Sequence, residues 1–315
     1  MSTLWNVNAL HLLLALTLSP LLLGIVNRVK AKFAGRQGKP LLQLYSDLAK
    51  LLRKGEVIST STCGVFSAGP SVTLATIICA LALLPFANHD AILSFQGDFI
   101  LVAYLLGMGR FALMLAALDT ASPFEGMGAS REATFSALAE PVIFLCFLSL
   151  AGSGASQSTA GTLSLSSMFG GAPLWAWEMG RPELLLIPLV LFVLLLVENC
   201  RIPADDPNTH LELTMIHEVI ILDHSGPNLA FILYGAALKL WFFAALLAGI
   251  LLPVLSAPLW LQIILSVGII FTVTILVGIV ESIMARVRMT RIPALLGGAG
   301  ALAALTLILS LMRQA

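Results

Sequence analysis

Apolar residues run almost unbroken for about 20 positions at a time along this chain, without the two-residue alternation of a half-buried strand. A hydrocarbon core about 30 Å thick needs about 20 apolar residues of helix. Runs of that length predict eight spans, near residues 9–27, 69–87, 98–118, 133–153, 184–199, 229–252, 259–283 and 292–311. The fifth is short and flanked by proline and charge, so it is expected to tilt or to be extended by flanking turns. The reading is an all-α polytopic membrane protein, one integral membrane domain over residues 1–315. The first run is not read as a cleavable signal peptide, because no basic segment precedes it and no small-x-small site follows before the basic loop.

Composition agrees: 58% hydrophobic residues, 11% charged and a mean hydropathy of +0.97 leave too little polar surface to cover a soluble fold. The formal net charge is zero, which argues against a nucleic-acid partner and makes charge placement the informative quantity. With the N-terminus outside, the inner loops hold Arg28, Lys30, Lys32, Arg36, Lys39, Lys50, Arg53, Lys54, Arg131, Arg201, Arg286, Arg288 and Arg291. The outer side then holds only Arg181 and Arg313, so both termini are expected outside and the long loops in the cytoplasm. Arg110 and Lys239 fall within spans, where each either snorkels to an interface or pairs with a buried carboxylate.

Three acids sit in the greasiest segments: Glu140 in AEPVIFLCFLSLA, Glu198 at the end of LLLIPLVLFVLLLVENC, and Glu281 at the end of IIFTVTILVGIVES. A carboxylate at membrane depth costs several kcal/mol unless it is paired, protonated or facing water, so a proton or ion pathway is the default expectation. The cysteines Cys63, Cys79, Cys146 and Cys200 are scattered without ligand spacing, which argues against an iron–sulfur cluster or zinc in this chain.

The inner loops hold the remaining chemistry. GRQGKPLLQLYSDLAKLLRKGEV opens with turn residues and continues as a helix carrying Leu41, Leu44, Leu48, Leu51 and Leu52 on one face, with Asp47 and Lys50 as neighbours on its surface. Such a helix lies on the membrane surface or against a soluble partner. In the second loop, LDTASPFEGMGASREA, Ser130 fits a helix N-cap, and Glu132, Glu140 and Arg131 either line one polar seam or sit at the interface. The third loop packs Glu198, Arg201, Asp205, Asp206, His210, Glu212, His217, Glu218, Asp223 and His224 together. Its His spacing matches no HExxH or other common ligand set, so no metal is assigned. Its acids and imidazoles form either a proton-handling chain or a charge cluster that binds a soluble subunit.

These loops resemble those of the NADH dehydrogenase subunit 1 family, a membrane subunit of bacterial respiratory complex I, and most closely its relative in energy-converting membrane-bound NiFe hydrogenases such as formate hydrogenlyase. The first loop is similar to that family through Arg36, Gly38, Pro40, Gln43, Asp47, Lys50 and Glu56; LDTASPFEGMGASREA resembles the hydrogenase branch. Glu198, Arg201, Pro203, Asp205, Glu212, Ser225 and Gly226 match the third-loop pattern, and Glu281, Arg286 and Arg288 match the ending VESIMARVRM. The resemblance spans nearly the whole chain.

That resemblance implies a subunit that anchors a hydrophilic electron-transfer arm, forms the cavity beneath its last iron–sulfur cluster and couples redox energy to antiporter-like subunits. It implies coupling roles for Glu132, Glu140, Glu198, Asp205, Glu212, Glu218, Asp223 and Glu281. Arm-docking or cavity roles fall to Arg36, Gln43, Asp47, Lys50, Asp119, Arg131, Arg201 and Arg286. No redox centre is expected in this chain; iron–sulfur clusters, and a NiFe centre if the large subunit is a hydrogenase, belong to hydrogenase-like large and small subunits and an iron–sulfur subunit. The chain departs from the pattern at Ala204, in the text DPNTH, and at Asp223–His224, which leaves the partner's redox chemistry open. Two other classes stand beside this reading: an ion-coupled secondary transporter, against which the absence of an internal repeat counts, and a purely structural anchor.

Overall fold

The computed structural model describes residues 2–154, 163–169, 180, 183–205, 215–252 and 257–312. Its regular elements there are helical: α1 (Ser2–Phe33), α2 (Gln43–Leu51), α3 (Gly64–Ala82), α4 (Asp98–Asp119), α5 (Pro123–Gly154), α6 (Leu165–Phe169), α7 (Glu183–Glu198), α8 (His217–Ile220), α9 (Gly226–Leu251), α10 (Leu259–Ile283) and α11 (Ile292–Met312), with a 3-10 turn at Met289–Arg291. Among the described residues seven helices are long and apolar enough to cross a membrane, and the shorter apolar stretch Leu185–Glu198 lies in α7. These eight helices coincide with the eight expected spans.

The bundle is organised around α9, whose Trp241, Phe242 and Phe243 are all at most 1% exposed. A helix apolar on every side belongs inside, and α9 packs against α1, α3, α7 and α10. In lipid, burial of apolar surface does not drive helix association, so close contact and interhelical hydrogen bonds must do so. The α3–α4 pair shows both: a Cβ on Gly69 would come within 2.7 Å of Ala116 Cβ, and Thr73 Oγ1 donates to the Gly109 carbonyl at 2.9 Å.

Three helix starts lie five or more residues ahead of expectation, at Ser2, Gly64 and Pro123, and the last two have a visible cause. The second span begins at Gly64 because Asp119, at the far end of α4, accepts the amides of Cys63 (2.7 Å) and Phe66 (3.2 Å), a cap supplied by a distant residue. Asp119, expected in the docking group, therefore stabilises a helix end. An Asp119→Ala substitution is expected to speed amide exchange at residues 63–67 by removing the cap, while Asp119→Asn retains most of the protection.

The fourth span starts at Pro123, at the first helical position, after Ala121 reverses the chain with φ +56°. Ser130 is thus inside α5 and caps nothing; its carbonyl accepts the Thr134 hydroxyl at 2.9 Å. Gly126 and Gly128 lie within the helix as well. At Gly128 the missing side chain matters, because a Cβ there would meet Ile220 Cγ1 at 3.0 Å and the Ile216 carbonyl at 3.2 Å. The third inner loop can approach α5 only over a glycine.

The amphipathic stretch of the first loop forms α2, shorter than its leucine pattern suggested, with Leu41, Leu42 and Leu52 exposed outside it. It packs against α1 and α9. Tyr45 of α2 donates its hydroxyl to the Thr17 carbonyl, and Gln43 Nε2 donates to Asp47 Oδ1 at 2.8 Å.

Candidate functional site

Helix α7 has only 16 residues, a length of about 24 Å at 1.5 Å per residue. Its last residue, Glu198, meets Lys239, about 20 Å along α9 from that helix's start at Gly226. The chain then leaves helical geometry while still inside the protein, and Ile202, Ala204 and Asp205 are all at most 8% exposed. Irregular backbone at such depth is tolerated only where protein surrounds it. The segment from Glu198 to Asp205 therefore carries three charged side chains into the bundle at close spacing.

Each of the three has its own set of partners. Glu198 Oε1 accepts Arg110 Nη1 of α4, and its Oε2 lies 2.9 Å from Lys239 Nζ of α9. Arg201 Nη1 lies 3.4 Å from Glu281 Oε1 of α10, whose Oε2 is 2.8 Å from Lys30 Nζ of α1. Asp205 Oδ1 lies 3.0 Å from Arg286 Nη2, and Oδ2 accepts the Ile216 and His217 amides at 3.0 and 3.2 Å. Arg110 extends the first cluster outward: its Nη2 donates to Glu140 Oε1 of α5 at 2.7 Å. One guanidinium thus bridges two carboxylates with two separate nitrogens, which the planar fork permits and an ammonium does not.

The clusters differ in exposure. The side chains of Glu198, Glu281 and Asp205 are at most 2% exposed, whereas Glu140 is 43% exposed. Glu140 borders a groove of about 470 Å³ between α4 and α5, lined also by Tyr104, Gly107 and Phe144. A Cβ on Gly107 would stand 3.1 Å from Glu140 Oε1, so glycine there makes the room.

Cavities adjoin the charges. One of about 80 Å³ is bounded by Arg110, Glu132, Glu198, His217 and Lys239. A second, of about 200 Å³, lies between the first and third inner loops, bounded by Lys39, Asp47, Asp205, His217 and Glu218. Asn199, Cys200 and His217 form walls of both. A water needs roughly 10–15 Å³ of such space and two to four polar partners, so both cavities can hold several waters.

Most of the expected coupling acids converge here. Glu132, Glu140, Glu198, Asp205, Glu218 and Glu281 lie in or beside these clusters and cavities, whereas Asp223 is exposed at the loop surface. Glu212 lies outside the described residues, as do His210 and Asp206. Of the expected docking group, Arg36 and Lys50 are exposed and Gln43 and Asp47 pair with each other. Arg201 and Arg286 instead hold buried carboxylates, and Arg131 donates to the Met215 carbonyl at 2.8 Å, fastening the third loop to α5. Arg110 and Lys239, left between two readings by sequence, pair with buried acids. Lys30, counted only as a loop charge, and Glu125, buried at the start of α5, were missed. The signal for Arg110 and Lys239 was their position inside apolar runs. Among the described residues no group of three His, Cys, Asp or Glu converges on a possible metal site.

Comparisons with known proteins give the family. A family model described as NADH dehydrogenase matches residues 6–312. Hydrogenase-4 component C of Escherichia coli (strain K12) is 30% identical over 282 residues, covering 87% of this chain and 85% of that protein. Formate hydrogenlyase subunit 4 of the same organism is 26% identical over 287 residues, covering 89% of this chain and 90% of the relative. A chain in the structure of the membrane-bound sulfane sulfur reductase, an archaeal respiratory membrane complex, superposes with a TM-score of 0.82 over 98% of this chain and 99% of its own. At 20% identity that likeness concerns the fold. With apolar helices long enough to span and relatives that are named components of membrane enzyme complexes, the protein is a multi-pass subunit of the inner membrane. The chain belongs to the NADH dehydrogenase family of complex I-like membrane subunits, with relatives in its hydrogenase branch.

Proposed function

We propose that this chain is the membrane anchor and coupling subunit of a complex I-like or membrane-bound-hydrogenase-like complex. It docks a peripheral arm of hydrogenase-like large and small subunits and an iron–sulfur subunit, and links their redox chemistry to proton or sodium translocation by antiporter-like membrane subunits. The observation that carries this reading is the segment Glu198–Asp205. Its charges Glu198 and Arg201 hold α4, α9 and α10 through ion pairs, Glu281 of α10 in turn holds Lys30 of α1, and Asp205 holds the amides at the start of α8 in the third inner loop. A displacement of that loop by a docked partner cannot leave the pairs at Glu198 and Glu281 unchanged.

The chemistry follows from charge balance. Glu198 has two cationic neighbours and Glu281 has two, so any shift that separates one pair changes the free energy of a proton on the carboxylate left behind. Water in the adjoining cavities then carries the proton toward or away from it. This chain supplies carboxylates, cations and a hydrated path, and the electron-transfer centres are supplied by its partners. Clusters of basic and exposed apolar residues on the first loop, among them Arg36, Lys50, Leu52 and Val57, supply the docking face.

The test is purification of the tagged protein from its native membrane in mild detergent, with mass spectrometry of what accompanies it. Recovery with iron–sulfur, large hydrogenase-like and antiporter-like subunits is the expected result. Recovery as a stable single species overturns the reading and favours an ion-coupled secondary transporter.

A further inference from the structure

Residues 223–228 hold the inner loops together at one point, away from the Glu198 cluster. The Val57 amide donates to Ser225 Oγ at 3.1 Å, and Asn228 Nδ2 donates to Glu56 Oε1. Gly226, at φ +52°, lies so close to Gly55 that a Cβ would stand 2.9 Å from its carbonyl oxygen. On the other side the Asp223 amide donates to Glu125 Oε1 of α5 at 3.1 Å. Between these contacts the His224 ring stacks on Phe66 in the first turn of α3, with centroids 4.1 Å apart and an interplanar angle of 11°.

The imidazole is 4% exposed, and neither of its nitrogens has a hydrogen-bond partner among the described residues. Most charged and titratable groups on the surrounding described elements are committed elsewhere. Glu56 holds Asn228; Asp119 holds the amides of Cys63 and Phe66 and the Cys63 thiol; Glu125 holds the Asp223 amide through Oε1, while its buried Oε2 has no hydrogen-bond partner among the described residues. Lys54 and Asp223 are exposed to solvent. A neutral ring stacked on an aromatic suits this site, whereas an imidazolium would have no ion pair or hydrogen bond among the described residues.

We infer that this junction is an acid-opened latch: protonation of His224 puts an unpaired cation against Phe66 and releases residues 55–66 from residues 223–228. The stack, the burial and the two unpartnered nitrogens carry the inference. Burial also lowers the imidazole from its ordinary 6.5 to about 4. The closed latch therefore binds the proton more weakly than the open one. Its stability is complete above about pH 6.5 and is lost as pH falls toward 4. From about pH 7.5 to about pH 5 the opening constant rises roughly 30-fold.

The experiment is hydrogen–deuterium exchange of the full-length protein in lipid nanodiscs, read over residues 55–66 and corrected for the intrinsic pH dependence of exchange. The wild type is expected to show the roughly 30-fold rise in opening. His224→Phe keeps the stack without a titrating nitrogen and is expected to stay protected at both pH values; His224→Gln serves as a second non-titrating variant. Ser225→Ala weakens the latch without touching the ring, so it raises exchange at both pH values and preserves the increment. A flat wild-type profile overturns the latch whether or not any variant folds, and so does the same rise in a non-titrating variant.

Discussion

Glu198→Gln is expected to destabilise the protein by about 3–5 kcal/mol and to uncouple the assembled complex, because it leaves the buried Arg110 and the partly buried Lys239 without their shared anion. Arg110 would retain only the half-exposed Glu140, and Lys239, deep in α9, would have no carboxylate among its described ion-pair partners. The change is nearly isosteric, so the loss comes from charge rather than packing. A double-mutant cycle with Lys239→Met isolates the pair: if the ion pair matters, Glu198→Gln/Lys239→Met regains part of the stability lost by Glu198→Gln alone. Thermal unfolding in nanodiscs reads stability, and the ratio of ion uptake to electron transfer in vesicles holding the assembled complex reads coupling. A Glu198→Gln protein with unchanged unfolding and unchanged ratio would leave the cluster as inert structure.

Arg110→Met is expected to rank second, through a different loss. Glu198 keeps Lys239, but Glu140 loses its only described cation while bordering the groove between α4 and α5. An unpaired carboxylate at that depth costs about 2.5–3.5 kcal/mol on insertion scales. Arg110→Lys is expected to rescue little, because one ammonium cannot reach two carboxylates held on separate nitrogens of a planar fork. Adding Glu140→Gln to Arg110→Met removes the orphaned charge and should restore about half of the loss, measured by the same unfolding assay. If Glu140→Gln lowered the stability of Arg110→Met further, Glu140 would have another partner and the bridge would not explain it.

The elements were legible where the pattern had one physical cause. Unbroken apolar runs of about 20 residues have few stable fates other than a membrane span, and the eight expected spans are the eight apolar helices. Helix starts were less legible, since Asp119 caps α3 from another helix and Pro123 opens α5 before the apolar run begins. Glu140, Glu198 and Glu281 were visible as charges in apolar text. Their partners were not, because Arg110 precedes Glu198 by 88 positions and Lys30 precedes Glu281 by 251, and no local spacing records such a contact.

By itself the sequence determined the solvent of this protein, the number of its spans and the presence of charges that must be compensated. Each follows from the free energy of transferring one segment between water and hydrocarbon, which depends on that segment alone. Tertiary structure alone decided which cation meets which acid, and that the short α7 stops inside the bundle so that Glu198, Arg201 and Asp205 meet different partners. It alone decided that His224 is sealed against Phe66 without a hydrogen-bond partner among the described residues. Ion pairing and burial depend on distances between groups far apart in the chain, and those distances exist only once the helices have packed.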